Sequence, residues 1–345
     1  LKLLRRLAWI FGTLLVATAV FVAWVMWPSA PKTSAALTIE EPSSAAPETT
    51  PTYIPSIDPP ASPTLVAASE DCDGGDAPAS APSVNAASLT TIAWSPFGRP
   101  ETGWEIYAPR IAAEIGTRCA PSSRRFAAAL AQWQRAHRLP PSGVMDPATF
   151  QPMVTGWHLA RPFVRINGKG ICPDAPPVSS LATARPNESY GGKVIQLRPG
   201  ALEAYRDMVA EARAAGVVSR PEVLTIFSGF RDPNADAARC ARDNNCQGLV
   251  RTICSAHRTG LAMDVYIAAA PGFGPDSSSD DNRRAMARSP VFQWMVVHAG
   301  RFGFVNYPFE PWHWEWTGEP LLSGVPISSL PQAGSQPAPP VPAKP

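Results

Sequence analysis

The sequence predicts an α+β protein: a small antiparallel sheet with flanking helices, preceded by a small three-helix domain and an N-terminal transmembrane helix. Three observations carry this. An uncharged run from Leu7 to Trp27 follows Lys2, Arg5 and Arg6. Apolar residues recur at helical spacing between Trp104 and Met153. Short strand-like runs then alternate with amphipathic helices between residues 200 and 317, with glycine or proline at their ends.

The first 27 residues read as a cytoplasmic start and a single-pass anchor. The uncharged stretch is long enough to cross a bilayer as a helix, and the basic residues before it keep the N-terminus inside. A cleaved signal peptide is the competing reading, but its apolar region is usually shorter. Pro28-Ser29-Ala30-Pro31 is also a poor cleavage site. On the anchor reading the chain sits in the inner membrane, with its folded part in the periplasm or on the extracellular face.

Residues 28–92 and 326–345 hold much of the chain's complement of 40 prolines, with Ala, Ser and Thr and few large apolar residues. Such segments bury too little surface to offset ordering entropy, so they read as a disordered linker and tail. Residues 93–160 and 161–325 remain for two folded domains. The net charge is +2, from 30 basic and 28 acidic residues with no long basic run. Nucleic acid is therefore excluded as a partner.

All six cysteines, Cys72, Cys119, Cys172, Cys240, Cys246 and Cys254, follow the apolar run. An even number outside the cytoplasm points to disulfides, in a pattern that spacing leaves open. Metal binding by Cys240, Cys246 and Cys254 is the alternative, although they lack a C-x2-C unit. Cys72 does not suit a featureless linker and is expected to be pinned to the folded part. The cysteine-rich stretch 240–254 is expected to staple an insertion near a cleft.

In the helical domain, Trp104, Tyr107, Ile111 and Ile115 mark one helix, stopped by Gly116. Ser122 or Ser123 caps a second helix running to His137, with Phe126, Leu130 and Trp133 on one face. Leu139 to Gly143 turns the chain, and Asp146-Pro147 starts a third short helix. In the second domain, 200–215 is an amphipathic helix burying Leu202, Tyr205, Met208, Val209 and Ala212. Strands are expected at 222–227, 260–267, 302–307 and 312–317, with a helix from Pro290 to His298.

Two clusters carry chemistry. The first is Ser255-Ala256-His257-Arg258-Thr259-Gly260-Leu261-Ala262-Met263-Asp264, the second Glu310-Pro311-Trp312-His313-Trp314-Glu315-Trp316. A catalytic metal needs three N or O ligands and one open position, and His257, Asp264 and His313 supply the three. On a strand through 261–267, Ala262, Asp264 and Tyr266 share a face, with small Ala262 leaving room beside the ion. Glu310 lies three residues before His313, an odd separation that places the two on opposite faces of a regular strand. They meet only if the chain bends, and Pro311 sits where the bend is required. His137, His158 and His298 have no such company and read as structural. Trp312, Trp314 and Trp316 alternate as core residues do, with a platform for sugar rings as the other reading.

Both clusters resemble the VanY-like and VanX-like D-alanyl-D-alanine carboxypeptidases, whose pattern is Ser-x-His-x-x-Gly-x-Ala-x-Asp followed by Glu-x-Trp-His. The resemblance spans about residues 190–318, and every defining position matches. It implies one Zn2+ held by His257, Asp264 and His313, with Glu310 as catalytic base. Ser228-Gly229-Phe230-Arg231 resembles the family turn whose arginine contacts substrate and stabilises the oxyanion, so Arg231 inherits that role. Ser255, Ser228 and Trp312 are expected at the substrate. The implied activity is zinc-dependent hydrolysis of peptidoglycan stem peptides, with removal of terminal D-Ala favoured. Endopeptidase cleavage and non-catalytic wall binding are the alternatives. The run Phe126…Trp133-Gln134…Gly143…Asp146…Thr149-Phe150 resembles short three-helix peptidoglycan-binding domains, and a plain helical spacer is the other reading. Glu315 stands where the carboxypeptidases are frequently basic, which is expected to weaken recognition of a terminal carboxylate.

Overall fold

The computed structural model describes residues 70–243, 246 and 252–330. The expected anchor over 1–27, most of the linker and the end of the tail lie outside these residues. No helix among the described residues is long and apolar enough to cross a membrane.

Composition assigns residues up to 92 to a linker, but residues 70–92 belong to the folded part. Cys72 is disulfide-bonded to Cys119, and Glu70 accepts hydrogen bonds from the Thr117 hydroxyl (2.6 Å) and the Arg118 amide (2.8 Å). Helix α1, Ala81–Thr91, follows, with Pro82 in its first turn. It is held by Asn85, a fully buried side chain that bonds the Gly143 carbonyl and the Met145 amide, each at 2.8 Å. Its apolar surface is slight, so hydrophobic periodicity gave no sign of it.

The expected helix over 104–115 divides. Glu105–Tyr107 is a 3-10 turn, and α2 covers Ala108–Glu114. Pro109 explains the break, because a proline lacks the N–H that a continuous helix needs there and is tolerated in a first turn. Helix α3, Arg124–Ala136, starts where expected: the Ser123 hydroxyl accepts from the Phe126 amide at 3.1 Å. Asp146 caps α4, Pro147–Ala160, accepting from the Thr149 amide at 2.7 Å. Phe126, Leu130, Phe150 and Met153 close this core with Trp104 and Tyr107. Gln134 is buried and spends its amide on Ser142, Val144, Gly143 and Thr149. The residues that resemble a wall-binding domain thus serve as core and caps.

A short helix α5, Pro162–Asn167, leads into the second region. Helix α6 is Pro199–Ala214 and buries the expected stripe. The central sheet has four antiparallel strands in the order Ile226–Ser228 (β6), Ala262–Val265 (β7), Glu310–Trp316 (β9), Phe304–Tyr307 (β8). Shorter pairs join Ala93–Trp94 (β1) to Glu101–Thr102 (β2), Ile171–Pro173 (β3) to Gly324–Pro326 (β10), and Ala182–Thr183 (β4) to Gln196–Leu197 (β5). Strand β10 and a 3-10 turn to Ser329 extend order beyond residue 325.

Two strands are shorter than their patterns suggest. Residues 222–225 form a turn rather than strand, with Leu224 at φ 67°. Its amide reaches the Tyr266 carbonyl (2.8 Å) and its carbonyl accepts from the Tyr205 hydroxyl (2.9 Å), so this conformation is held from two sides. Strand β7 ends at Val265, so Tyr266 does not share a strand face with Asp264. It stacks on Tyr190 instead, at 5.1 Å.

Period-2 alternation along β7 and β9 sorts two faces. Met263, Val265, Trp312 and Trp314 enter the main core with Leu202, Met208 and Met295. Ala262 turns the other way, into a small second core with Phe163, Cys172, Cys254 and Ala256. All six cysteines pair: Cys72–Cys119, Cys172–Cys254 and Cys240–Cys246. The thiolate-metal alternative for Cys240, Cys246 and Cys254 is therefore overturned. Cys240–Cys246 closes the end of α7, Pro233–Arg242, while Cys172–Cys254 ties β3 to the loop that enters the site.

Candidate metal centre

Sheet register brings the donors together. Asp264 on β7 lies directly opposite His313 on β9. His257 arrives from the 3-10 turn Ala256–Thr259, which the Ser255 hydroxyl caps through the His257 amide at 3.2 Å. Gly260 then turns the chain into β7 at φ 69°, in the left-handed region that glycine occupies without strain. One donor atom from each of His257, Asp264 and His313 lies within 4.8 Å of the others, and all three residues are buried.

Strand β9 is irregular where the odd spacing requires it. Tyr307 pairs with Glu310, yet Asn306 pairs with Trp314, so extra β9 residues bulge between them. The bulge brings Glu310 and His313 into one cavity. Asn306, buried, directs its amide at the carbonyls of His313 (2.9 Å), Glu310 (3.2 Å) and Pro311 (3.4 Å). It replaces ladder bonds that a bulge gives up, and nothing in the motif pointed to it.

Hydrogen bonding fits the donors to a cation. Nδ1 of His257 sits 2.8 Å from the Gly229 carbonyl, so it carries the proton. Nε2 is then a lone pair, and it faces a carboxylate oxygen of Asp264 at 3.1 Å. Burial pushes the His257 imidazole down to about 4, which disfavours a second proton. Two buried acceptors facing each other call for a shared cation. The other Asp264 oxygen is 2.9 Å from Nδ1 of His313. Asp264 is held well below the usual carboxylate range: burial opposes its charge, but both histidines outweigh that. His313 is held up to about 9, since Asp264 and Glu315 overcome the cost of burying its cation. The donor set of two imidazoles and one carboxylate suits Zn2+.

Gly229 is part of this support. A Cβ there would lie 2.6 Å from the Gln196 carbonyl oxygen and 2.9 Å from an Ile195 methyl. Gly229→Ala is therefore expected to displace the carbonyl that orients His257. Affinity for Zn2+ should fall by about tenfold or more in a chelator-competition titration.

The cavity gathers the remaining expected residues as well. Glu310 and Trp312 form part of its wall, with Ser228 and Arg231 from the turn after β6 and Ser255 from the histidine loop. Burial pushes the Glu310 carboxyl up to about 7, a range in which a group can both take and return a proton. Arg231 is one-fifth exposed and is held by Asp236 of α7, with Nε 3.0 Å from the carboxylate. Trp312 and Trp314 are core residues, as the alternation suggested.

Glu315 corrects its expectation. It is absent from the cavity wall and lies buried behind the site, where Arg161 donates to it through Nε (2.7 Å) and forms an ion pair with it, Nη2 lying 2.5 Å from the same oxygen. Its strand position, two residues after His313, already implied a shared face. Arg161, in contrast, comes from far along the chain and gave no signal.

Residues 194–319 match the family described as VanY, D-alanyl-D-alanine carboxypeptidase. Among curated proteins none matches the chain. Solved structures that align include the LdcB LD-carboxypeptidase, at 21% identity and TM-score 0.32, over 43% of this chain and 75% of that one. The vancomycin-resistance D,D-pentapeptidase VanY from a VanB-type cassette, in complex with Zn(II), aligns at 17% identity and TM-score 0.26, over 43% and 87%. DacB from Streptococcus pneumoniae aligns at 18% identity and TM-score 0.24, over 42% and 85%. The sequence match takes in every donor described above, so the likeness of residues 194–319 to the VanY family includes His257, Asp264 and His313.

Proposed function

We propose that this chain is a zinc-dependent peptidase that cleaves peptide bonds in peptidoglycan stem peptides, with removal of a terminal D-Ala as the favoured reaction. The observation that carries the reading is one cavity that holds three buried, converging donors and, beside them, a carboxyl pushed up to about 7. On this reading His257, Asp264 and His313 hold one Zn2+, which when bound supplies a Lewis acid for the scissile carbonyl and an acidified water. Glu310 takes the proton of the attacking water and later delivers it to the leaving amine. Arg231 faces the negative charge that develops on the carbonyl oxygen. Ser228, Ser255 and Trp312 bound the peptide. Lys193 and Arg239 line the cavity together with Asp236 and Asp276, so its wall carries both signs of charge.

The same proposal puts the folded part outside the cytoplasm, where three disulfides persist, with the segment before residue 28 as its membrane anchor. Purified pentapeptide stems and cross-linked dimers, digested with Zn2+ or with a chelator, test the reaction by mass spectrometry. Chelator-sensitive loss of one terminal alanine is expected. Cleavage of cross-links alone would make it an endopeptidase, and unchanged peptides under zinc-replete conditions would overturn the enzymatic reading.

A further inference from the structure

We propose that Arg161, which lies outside the family match, is a positioning residue for the metal ligand His313 and acts through Glu315. The inference rests on the zinc reading above. Arg161 stands at the junction of α4 and α5, in an extended conformation at φ −75° and ψ 122°. Pro162 enforces this, because a residue before proline is kept out of the helical region. The helix therefore breaks at Arg161, and its side chain reaches β9.

There the guanidinium is buried and holds a single Glu315 oxygen at two points, a hydrogen bond from Nε and an ion-pair contact from Nη2. The Phe163 amide approaches the second oxygen at 3.4 Å. The Arg161 guanidinium also lies over the Tyr307 ring, 4.2 Å from its centre, and so is fixed from a second side. Glu315 in turn sits 3.4 Å from Nε2 of His313. A carboxylate there keeps the proton on Nε2 and turns Nδ1 toward Asp264, the tautomer that ligation requires. Without Arg161, Glu315 would be a third buried carboxylate beside Asp264 and Glu310, with only the His313 ring facing it. The guanidinium is what allows a carboxylate to stand behind this histidine.

The test is the zinc affinity of the full chain, measured by competition with a fluorescent chelator. Thermal melts in excess chelator report the metal-free fold. Arg161→Met should weaken zinc binding by about 10–100-fold. Arg161→Met with Glu315→Gln should be no weaker than Arg161→Met alone, because both act on one link. Arg161→Lys, which loses the two-point grip, should also weaken binding and decides the matter if Arg161→Met fails to fold. A purely structural role would lower the metal-free melting temperature and leave zinc affinity unmoved. Affinity within about twofold of the parent in whichever of these variants folds, or additive losses in the double variant, would overturn the relay alone. Absence of zinc binding by the parent would overturn the metal reading and the relay with it.

Discussion

Glu310→Gln is expected to cut turnover by orders of magnitude while making the metal-free protein more stable at neutral pH. The Glu310 carboxyl has its usual value of 4.5 pushed up to about 7 by burial. Ionising it inside the fold therefore costs on the order of 3 kcal/mol. The sign follows from linkage. Below about 4.5 the group is protonated folded and unfolded, and no penalty exists. Above about 7 it is ionised in both states, and the full penalty applies. Glutamine keeps the shape without the charge, so the stability gain should grow from pH 5 to pH 8 and reach about 1–3 kcal/mol. Activity should fall by about 10²–10⁴-fold, the share of a general base, with zinc still bound. Urea melts in chelator at the two pH values check the stability arm. An equal effect of the substitution at both would contradict this account of Glu310.

Arg283→Met should be the most destabilising single change in the folded part. Arg283 is fully buried in helix α8, Asp280–Arg288, which the sequence reading did not find. Its guanidinium donates to Glu101 (3.0 Å), the Tyr107 hydroxyl (2.7 Å) and the Phe309 carbonyl (2.9 Å), and covers the Phe309 ring at 4.2 Å. Removing it leaves Glu101, itself buried, with only Arg99 at 4.0 Å as a cation. Such losses cost about 3–5 kcal/mol, or roughly 6–20 °C in melting temperature at this size. Adding Glu101→Leu should recover much of the loss, since the stranded charge goes with it. Phe309 immediately precedes Glu310, so kcat should fall in Arg283→Met as well. A melting temperature within a degree or two of the parent would show that the buried network is not a support.

The sequence disclosed which side chains converge better than the architecture that holds them. His257, Asp264, His313 and Glu310 were legible because short motifs fix their spacing, and Pro311 marked where β9 departs from regularity. The bulge itself is larger than a proline bend and depends on Asn306, whose three carbonyl partners no local pattern announces. Helices α1 and α8 were missed for a related reason. Asn85 and Arg283, not an apolar stripe, tie them to their neighbours. Long-range polar bonds leave no periodicity in a sequence. Glu315 was misjudged by reading its position through relatives, when its partner Arg161 lies 154 residues away.

The Cys72–Cys119 bridge has a mechanical consequence. Tension arriving along the chain from the N-terminal side meets a covalent junction at Cys72 and passes straight to Cys119, at the threshold of α3. Helix α1, Trp104 and Tyr107 lie within the closed loop, so such a load bypasses them. A pull applied at residue 70 therefore enters the fold at Cys119 without first peeling away the segment between the two cysteines.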